Sequence, residues 1–513
     1  MRDRTKRAAA LCLGAGLALA AVPALAAPSA ATNETTAPLG PITVPSAGSP
    51  LVALHVLFDV GSIHDPAGKE GLATLTALMV GQAGTKKHTY SQLLETLYPM
   101  AASIDAQTDR EVTVFSGEVH KDTLAEYTAL FEEALLSPAF APSDFERNKE
   151  ELLSFLTTTL RGSSDELLGL EEIQDVIWKG HPYGHPPAGT VEGLKSITLD
   201  DVKSFYRAHY TRANLMLGVA GGYPAGYVER LEKDLAALPA GQAGGAAHAE
   251  IPPVPAVQGR SFTLIDKKTA SVGIHFGYPL PINRSHPDYY PLMVANSFLG
   301  QHRTSHGRLM QQLREKRGLN YGDYSYIEYW RNPPGTMRPG PGVPRHEQFF
   351  SVWIRPVVPN TAHFALRAAL YEVERLRDQG MTPAEFELTR DFLLNYSKLW
   401  AQTLSSRLGW QMDSRFYGMP YYIDEIDREL RKLSVDDVNR AAKKYLETAS
   451  YDAVVVTDHA ADFKAALEKD EPSPMTYNSK PGEDVLAADK TIEALKVKPT
   501  AIEIVPIDQV FQK

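Results

Sequence analysis

Strand and helix periods alternate along this chain, and the order in which they come is used twice. "LVALHVLFDVG" from Leu51 and "ASVGIHFGYPL" from Ala270 are short apolar runs rich in branched and aromatic residues, the pattern of β-strands. A run with helical spacing follows each of them, "GLATLTALMVG" from Gly71 and "YYPLMVANSFLG" from Tyr289. Further on, "LKSITLDDVKSFYRAHY" (Leu194 to Tyr210) and "LRKLSVDDVNRAAKKYL" (Leu430 to Leu446) align without a gap at an offset of 236. Each opens with a cap pattern, Thr198-x-x-Asp201 and Ser434-x-x-Asp437, in which hydroxyl and carboxylate satisfy each other's backbone N–H. An apolar strand follows each helix, "NLMLGVAGG" from Asn214 and "YDAVVVTD" from Tyr451. A cap, a helix and a strand repeated in one order point to a duplicated domain; the period is too long for a solenoid.

Each copy reads strands, then helices, then strands. That predicts an α+β fold of two homologous halves, each a sheet with helices packed on one face. The first half runs over 41–236 and the second over 260–469. Between them "ALPAGQAGGAAHAEIPPVPAVQG" (237–259) has almost no charge and reads as a linker. Two cores also suit the length, since single cores stop growing near ~250–300 residues. Inside the second half, the Gly/Pro-rich "RNPPGTMRPGPGVPRH" (331–346) predicts a long surface loop. The tail, 470–513, is polar and ends in "AIEIVPIDQVF", patterned as an edge strand or a docking segment.

The start of the chain changes the expected compartment. "MRDRTKR" is basic, residues 8–22 are apolar, and Ala24-Leu25-Ala26 offers small residues where a signal peptidase reads. Residues 1–26 are therefore expected to be a secretory signal peptide. The apolar run falls short of the ~18 residues of a membrane span. Cys12, the only cysteine, lies inside it, so the mature chain has neither a disulfide nor a thiolate metal site. The formal charge of −10 becomes about −13 once the signal's four cations and one acid are gone, which disfavours nucleic acid and anionic membranes as partners. An exported protein, periplasmic or extracellular, is expected.

Five stretches in a fixed order carry a family likeness: "DVGSIHDPAGKEGLA" (Asp59 to Ala73), "GQAGT" (Gly81 to Thr85), "HPYGHPPAGT" (His181 to Thr190), "FYRAHYTRANLMLGVAG" (Phe205 to Gly221) and "RLMQQLREKRGLNY" (Arg308 to Tyr321). By these the chain resembles the insulinase (pitrilysin) family of zinc metallopeptidases. The resemblance implies two homologous α+β halves closing as a clamshell around a chamber for an unfolded peptide. It also implies a helix in the first half bearing H-x-x-E-H, with two imidazoles on one face to hold zinc and a glutamate as general base. Here those five positions read "TLTAL". Thr74 and Leu78 stand at the two histidine positions and Ala77 at the base. The family's third ligand, a glutamate, falls on the helix predicted over Pro142 to Leu160, at Ser154 or Phe155, with Glu150 and Glu151 a turn away. No zinc site is expected in this chain. The two other histidine pairs, His181 with His185 and His302 with His306, have no acid at ligand spacing and read as packing or solvated residues.

In the second half the resemblance assigns an arginine and a tyrosine seven residues apart to the substrate carbonyl, and Arg314 and Tyr321 stand at that spacing. Both are donors, able to stabilise an oxyanion. Gly318 is placed to end the helix so that the chain turns into a strand carrying Tyr321. The plainer alternative makes Arg314 part of a solvated face and Tyr321 a core residue. The expectation is thus a chain inactive alone, completing the site of a homologous partner that holds zinc in an intact H-x-x-E-H. The alternative is a structural or peptide-binding homologue without a catalytic role.

Overall fold

The computed structural model describes residues 40–241, 251, 252, 254, 256–331, 336–477 and 481–513. The expected signal peptide, 1–26, lies outside the described residues, and so do positions 242–250, 253 and 255 of the linker.

Two sheets carry the fold. Strands β1 (Ile42–Pro45), β2 (Leu51–Phe58), β3 (Asp105–Thr108), β4 (Thr113–His120) and β5 (Leu215–Gly221) pair in the order β1-β5-β2-β4-β3. Strands β6 (Arg260–Asp266), β7 (Val272–Leu280), β8 (Asp323–Tyr326), β9 (Gln348–Val357), β10 (Tyr451–Thr457) and β11 (Ala501–Pro506) pair in the order β11-β6-β10-β7-β9-β8. Without β11 the two sheets match in order and in direction. The β1–β5 and β6–β10 pairs are parallel, and the remaining pairs are antiparallel. The match holds to single residues: β2 sets His55 opposite Gly218, β7 sets His275 opposite Val454, and 218 and 454 differ by the same 236. Both capping boxes form. Thr198 Oγ1 accepts from Asp201 N at 3.2 Å while the Asp201 carboxylate accepts from Thr198 N at 2.8 Å; Ser434 and Asp437 repeat this at 3.3 and 2.9 Å.

The strand patterns explain how the halves meet. Along β2, Val52, Leu54, Val56 and Phe58 enter the core of the first half, against the Leu72–Gly81 helix and its neighbours. The alternate residues Ala53 and Leu57 pack with Leu408 and Met412 of the Leu404–Phe416 helix, which belongs to the second half. Along β10, Ala453 and Val455 enter the second core, whereas Val454 and Val456 join the first. The Asp165–Ile177 helix of the first half lies on that face, its Gly169 against His275. Each half thus covers its own sheet on one face and lends a helix to the other's second face. Strands buried on both sides need near-continuous apolar runs, which is why "AVVV" does not alternate with polar residues.

The 331–346 stretch follows its predicted surface course only in part: Arg331, Met337, Arg338 and Gly340 are exposed, 332–335 lie outside the described residues, and 343–345 turn inward. Val343 and Arg345 are buried, and Arg345 Nε and Nη2 each donate to the Asp109 carboxylate at 2.7 Å. Arg345 Nη1 donates to Gln174 at 2.9 Å, and the His346 amide donates to Glu111 at 2.6 Å. Gly and Pro keep the backbone thin enough to pass between the halves, and acids of the first half supply what the sequence near it lacks. The tail fulfils its expectation: β11 adds a sixth strand, parallel to β6.

Candidate functional site

The site implied by the family starts on the Leu72–Gly81 helix. Asp65 caps its N-terminus, Oδ2 accepting from Gly71 N and Oδ1 from Ala73 N, both at 2.7 Å. Gly71 has φ +103, and its backbone lies against Gly189; a Cβ on Gly189 would stand 2.6 Å from Gly71 Cα. The markers "EGLA" and "AGT" are therefore two sides of one close backbone crossing that only glycines permit.

Each zinc-motif position is used for packing. The Thr74 hydroxyl donates to the Pro187 carbonyl, tying the helix to the "HPYGHPPAGT" segment. Ala77 is 1% exposed. Leu78 is half-buried against the first core. These residues do not fit a zinc ion: two of them have no donor atom, and the third has committed its hydroxyl to a carbonyl. Among the described residues no group of three or more His, Cys, Asp or Glu stands where it could hold a metal.

The third-ligand helix is shorter than predicted. It spans Pro142–Ser154 and continues as a π-helical stretch, Phe155–Ser163, a geometry rare enough to mark a local constraint. Its face toward the first core carries Phe145, Asn148 and Leu152, and Asn148 Nδ2 reaches Met79 Sδ at 3.4 Å. Glu150, Glu151, Ser154 and Phe155 are exposed. Three of the four paired histidines have structural partners. His181 Nε2 bonds the Pro252 carbonyl at 2.9 Å, and His185 Nε2 bonds Asp65 at 3.1 Å. His302 is buried among aromatic rings and bonds Tyr326 Oη at 2.7 Å, while His306 is exposed.

Arg314 sits on a second π-helical stretch, Met310–Glu315. Gly318 ends it as expected: with φ +66 it lets its own N–H return to the Arg314 carbonyl at 2.7 Å and that of Leu319 to the Leu313 carbonyl at 3.0 Å. Tyr321 is not on a strand. It precedes β8 by two residues, in a turn where Asn320 side-chain groups bond Gly322 N (3.1 Å) and Asp323 (2.6 Å). Nor is it core, being 78% exposed. The Arg314 side chain is 42% exposed, with Met310 Sδ at 3.8 Å and Glu315 at 3.7 Å as its neighbours. No hydrogen bond joins Arg314 to Tyr321 among the described residues. Met310 connects their surroundings, since it packs in one cluster with Tyr324, Tyr326 and Trp353.

A charged network between the halves went unseen in the sequence. It holds Asp109, Glu111, Arg345 and His346, with the Tyr183 hydroxyl also donating to Glu111. Burial opposes charge on His346, but the Glu111 hydrogen bond and carboxylate outweigh it and raise the imidazole pKa. The equivalent His55 and His275 are held neutral by burial, which lowers them to about 4 and about 3.

Comparison with known proteins agrees with this architecture. The family model described as insulinase (peptidase family M16) matches residues 42–186, and the one described as peptidase M16 inactive domain matches 196–393. A Helicobacter pylori (strain ATCC 700392 / 26695) protein described as non-peptidase homolog YmxG is 24% identical over 430 residues, covering 80% of this chain and 90% of its own. The mitochondrial-processing peptidase subunit beta of Dictyostelium discoideum is 26% identical over 172 residues, covering 33% of this chain and 36% of its own. Among solved structures, a peptidase M16 inactive domain from Pseudomonas fluorescens superposes with a TM-score of 0.70 at 22% identity, over 81% of this chain and 94% of that one. No helix among the described residues is long and apolar enough to cross a membrane.

Proposed function

We propose, from the premise that the chain belongs to the insulinase family of M16 peptidases, that it is the non-catalytic subunit of an exported two-subunit zinc peptidase. In this reading it holds no metal. A homologous partner with an intact H-x-x-E-H carries the zinc, and Arg314 and Tyr321 of this chain donate to the scissile carbonyl of an unfolded peptide as it becomes an oxyanion. The compartment is the periplasm or the outside of the cell.

The observation that carries the reading is an asymmetry. Thr74, Ala77 and Leu78 are absorbed into packing, whereas Arg314 and Tyr321 face solvent with no strong partner of their own. A tyrosine 78% exposed contributes little to the core, so packing does not account for it. That a relative bears the name of a peptidase subunit supports the division of labour. A second reading, a structural or peptide-binding homologue, is favoured by Arg345 and His346, whose bonds to Asp109 and Glu111 join the halves without any use in catalysis.

The test is coexpression with the partner and a zinc-dependent peptide assay. Arg314→Ala and Tyr321→Phe should leave folding and association intact. Each should lower turnover of the pair by roughly 10²–10³, mainly in kcat, for one lost oxyanion donor. Full activity of the double variant would move the assignment to the structural reading.

A further inference from the structure

The surface around Tyr321 carries cations that the oxyanion role does not use. Gly322 follows Tyr321 directly, and a Cβ there would stand 2.7 Å from the Tyr324 hydroxyl and 2.9 Å from Met310 Cε. Met310 Sδ also lies 3.8 Å from Arg314 Nη1. Met310 and Tyr324 thus lie beside both residues of the candidate pair. Two further arginines border them. Arg355 has its guanidinium 5.8 Å from the ring centre of Trp353, the β9 residue opposite Tyr324. Arg303 belongs to the turn after the Tyr289–Gly300 helix, next to His302, whose ring is 4.8 Å from that of Tyr324. Burial raises the Tyr324 phenol, while Arg355 and Arg303 both pull it down, so both charges are felt there.

Carboxylates are fewer than cations at this place. Glu166 accepts from Arg355 Nε at 2.7 Å, and Glu315 stands 3.7 Å from Arg314 Nε. Among the described residues no carboxylate pairs with Arg303, whose Nη1 has Met337 Sδ at 3.8 Å. Arg303 is exposed, yet its backbone holds φ +51, which a residue with a side chain adopts only where its surroundings enforce it. Its neighbour His302 is anchored at both ring nitrogens, to Tyr326 Oη at 2.7 Å and to the Thr336 carbonyl at 3.3 Å, so the Arg303 side chain starts from a fixed point. The whole chain is acidic, at −10. Charges beyond about 10 Å are largely screened by salt, however, so a peptide at Tyr321 would meet the local excess of three arginines over two glutamates.

We propose that Arg303 is a specificity residue, selecting peptides that bear an acidic side chain close to the carbonyl held by Arg314 and Tyr321. The inference rests on the reading that those two residues meet a peptide, and it names the class of peptide: acidic, in preference to neutral or basic.

Fluorescence anisotropy on the full chain tests it, with an unstructured peptide containing paired glutamates and the same peptide with glutamines in their place. The glutamate peptide should bind about fivefold tighter at low salt, the size of one well-made exposed ion pair. Raising the salt to about 0.5 M should shrink that preference. Arg303→Gln should bring the two affinities within about twofold of each other by weakening the glutamate peptide, whereas Arg303→Lys should retain most of the preference. Equal affinities in the wild type, a preference that survives Arg303→Gln, or no binding of either peptide would each overturn the inference. Turnover by the coexpressed pair separates it from the reading beneath it. A glutamate preference lost in Arg303→Gln, together with full turnover by the Arg314→Ala/Tyr321→Phe double variant, would keep the acidic-peptide site and remove the oxyanion role.

Discussion

Arg345 offers the sharpest test of how the halves are joined. Its guanidinium is buried, makes two 2.7 Å bonds to Asp109 and one of 2.9 Å to Gln174, and lies 3.6 Å from the centre of the Tyr329 ring. Arg345→Met keeps most of the apolar stem of the side chain but leaves the Asp109 carboxylate buried without this guanidinium. Breaking a buried pair from one side costs about 3–5 kcal/mol, because the remaining charge is uncompensated. Asp109→Leu should cost a similar amount, since the guanidinium is then stranded instead. The double variant Asp109→Leu/Arg345→Met strands neither charge, and replacing a buried pair by apolar groups is often close to neutral. Its loss should therefore fall short of the sum of the single losses by at least about 2 kcal/mol, a coupling that contacting residues show and distant ones do not. Urea unfolding followed by far-ultraviolet circular dichroism measures all three. Single losses below about 1 kcal/mol that simply add would refute the buried wedge and return the segment to the surface.

Three further outcomes follow from the packing. Burial raises the Asp323 carboxyl to about 7, above the ordinary 3.8, so the folded state binds a proton that the unfolded chain has lost, and stability falls as pH rises between those values; Asp323→Asn should match wild type near pH 4 and exceed it by up to about 4 kcal/mol above pH 7, at about 1.4 kcal/mol per unit, as urea melts across pH would measure. Gly169→Ala places a Cβ 2.3 Å from His275 Nε2 and should cost about 1–3 kcal/mol by pushing the lent helix off the second sheet, read by thermal unfolding. Thr74→His with Ala77→Glu and Leu78→His should yield neither stoichiometric zinc by metal analysis nor peptide cleavage by the isolated chain, and should lower stability, because Ala77 is buried and an unpaired glutamate there is costly.

How much of this could be read from the sequence depends on where the partners of each residue lie. The duplication was legible because its markers are local. A capping box needs only residues three apart, and the helices Leu199–His209 and Val435–Tyr445 begin and end 236 apart, as do β5 and β10. The burial of 343–345, at the end of the predicted surface loop, was not legible because it is not local. Asp109 and Glu111, which neutralise Arg345 and His346, lie more than two hundred residues earlier. Gly and Pro in number signal irregular backbone, and irregular backbone is usually on the surface, but a chain fed with hydrogen bonds from both sides escapes that rule. The lent helices were hidden for the same reason: the pattern of Leu404–Phe416 shows that it has an apolar side, not which sheet receives it. At the candidate site the missing zinc donors were legible outright, since no fold gives alanine or leucine a ligand atom. The expectation of Tyr321 on a strand failed through a two-residue shift, because the Asn320 turn delays the start of β8.

The retained frame without its chemistry has a physical explanation in the Leu72–Gly81 helix. Leu72, Leu75, Met79 and Val80 are all nearly inaccessible and fill the first core, so each is worth about 1.5–3 kcal/mol of burial and the helix cannot drift without cost. Asp65 fixes its start, and the Gly71–Gly189 crossing fixes its distance from the segment that ends in Thr190. None of these constraints touches a zinc-motif position. Those positions hold what the surrounding packing accommodates: a hydroxyl that bonds the Pro187 carbonyl at 74, a methyl at 77, a branched apolar side chain at 78. No comparable packing role explains Tyr321, whose ring is left in water. Packing thus accounts for what stands at Thr74, Ala77 and Leu78, whereas it does not account for Tyr321, and the proposed reading gives that tyrosine and Arg314 a substrate carbonyl to bind.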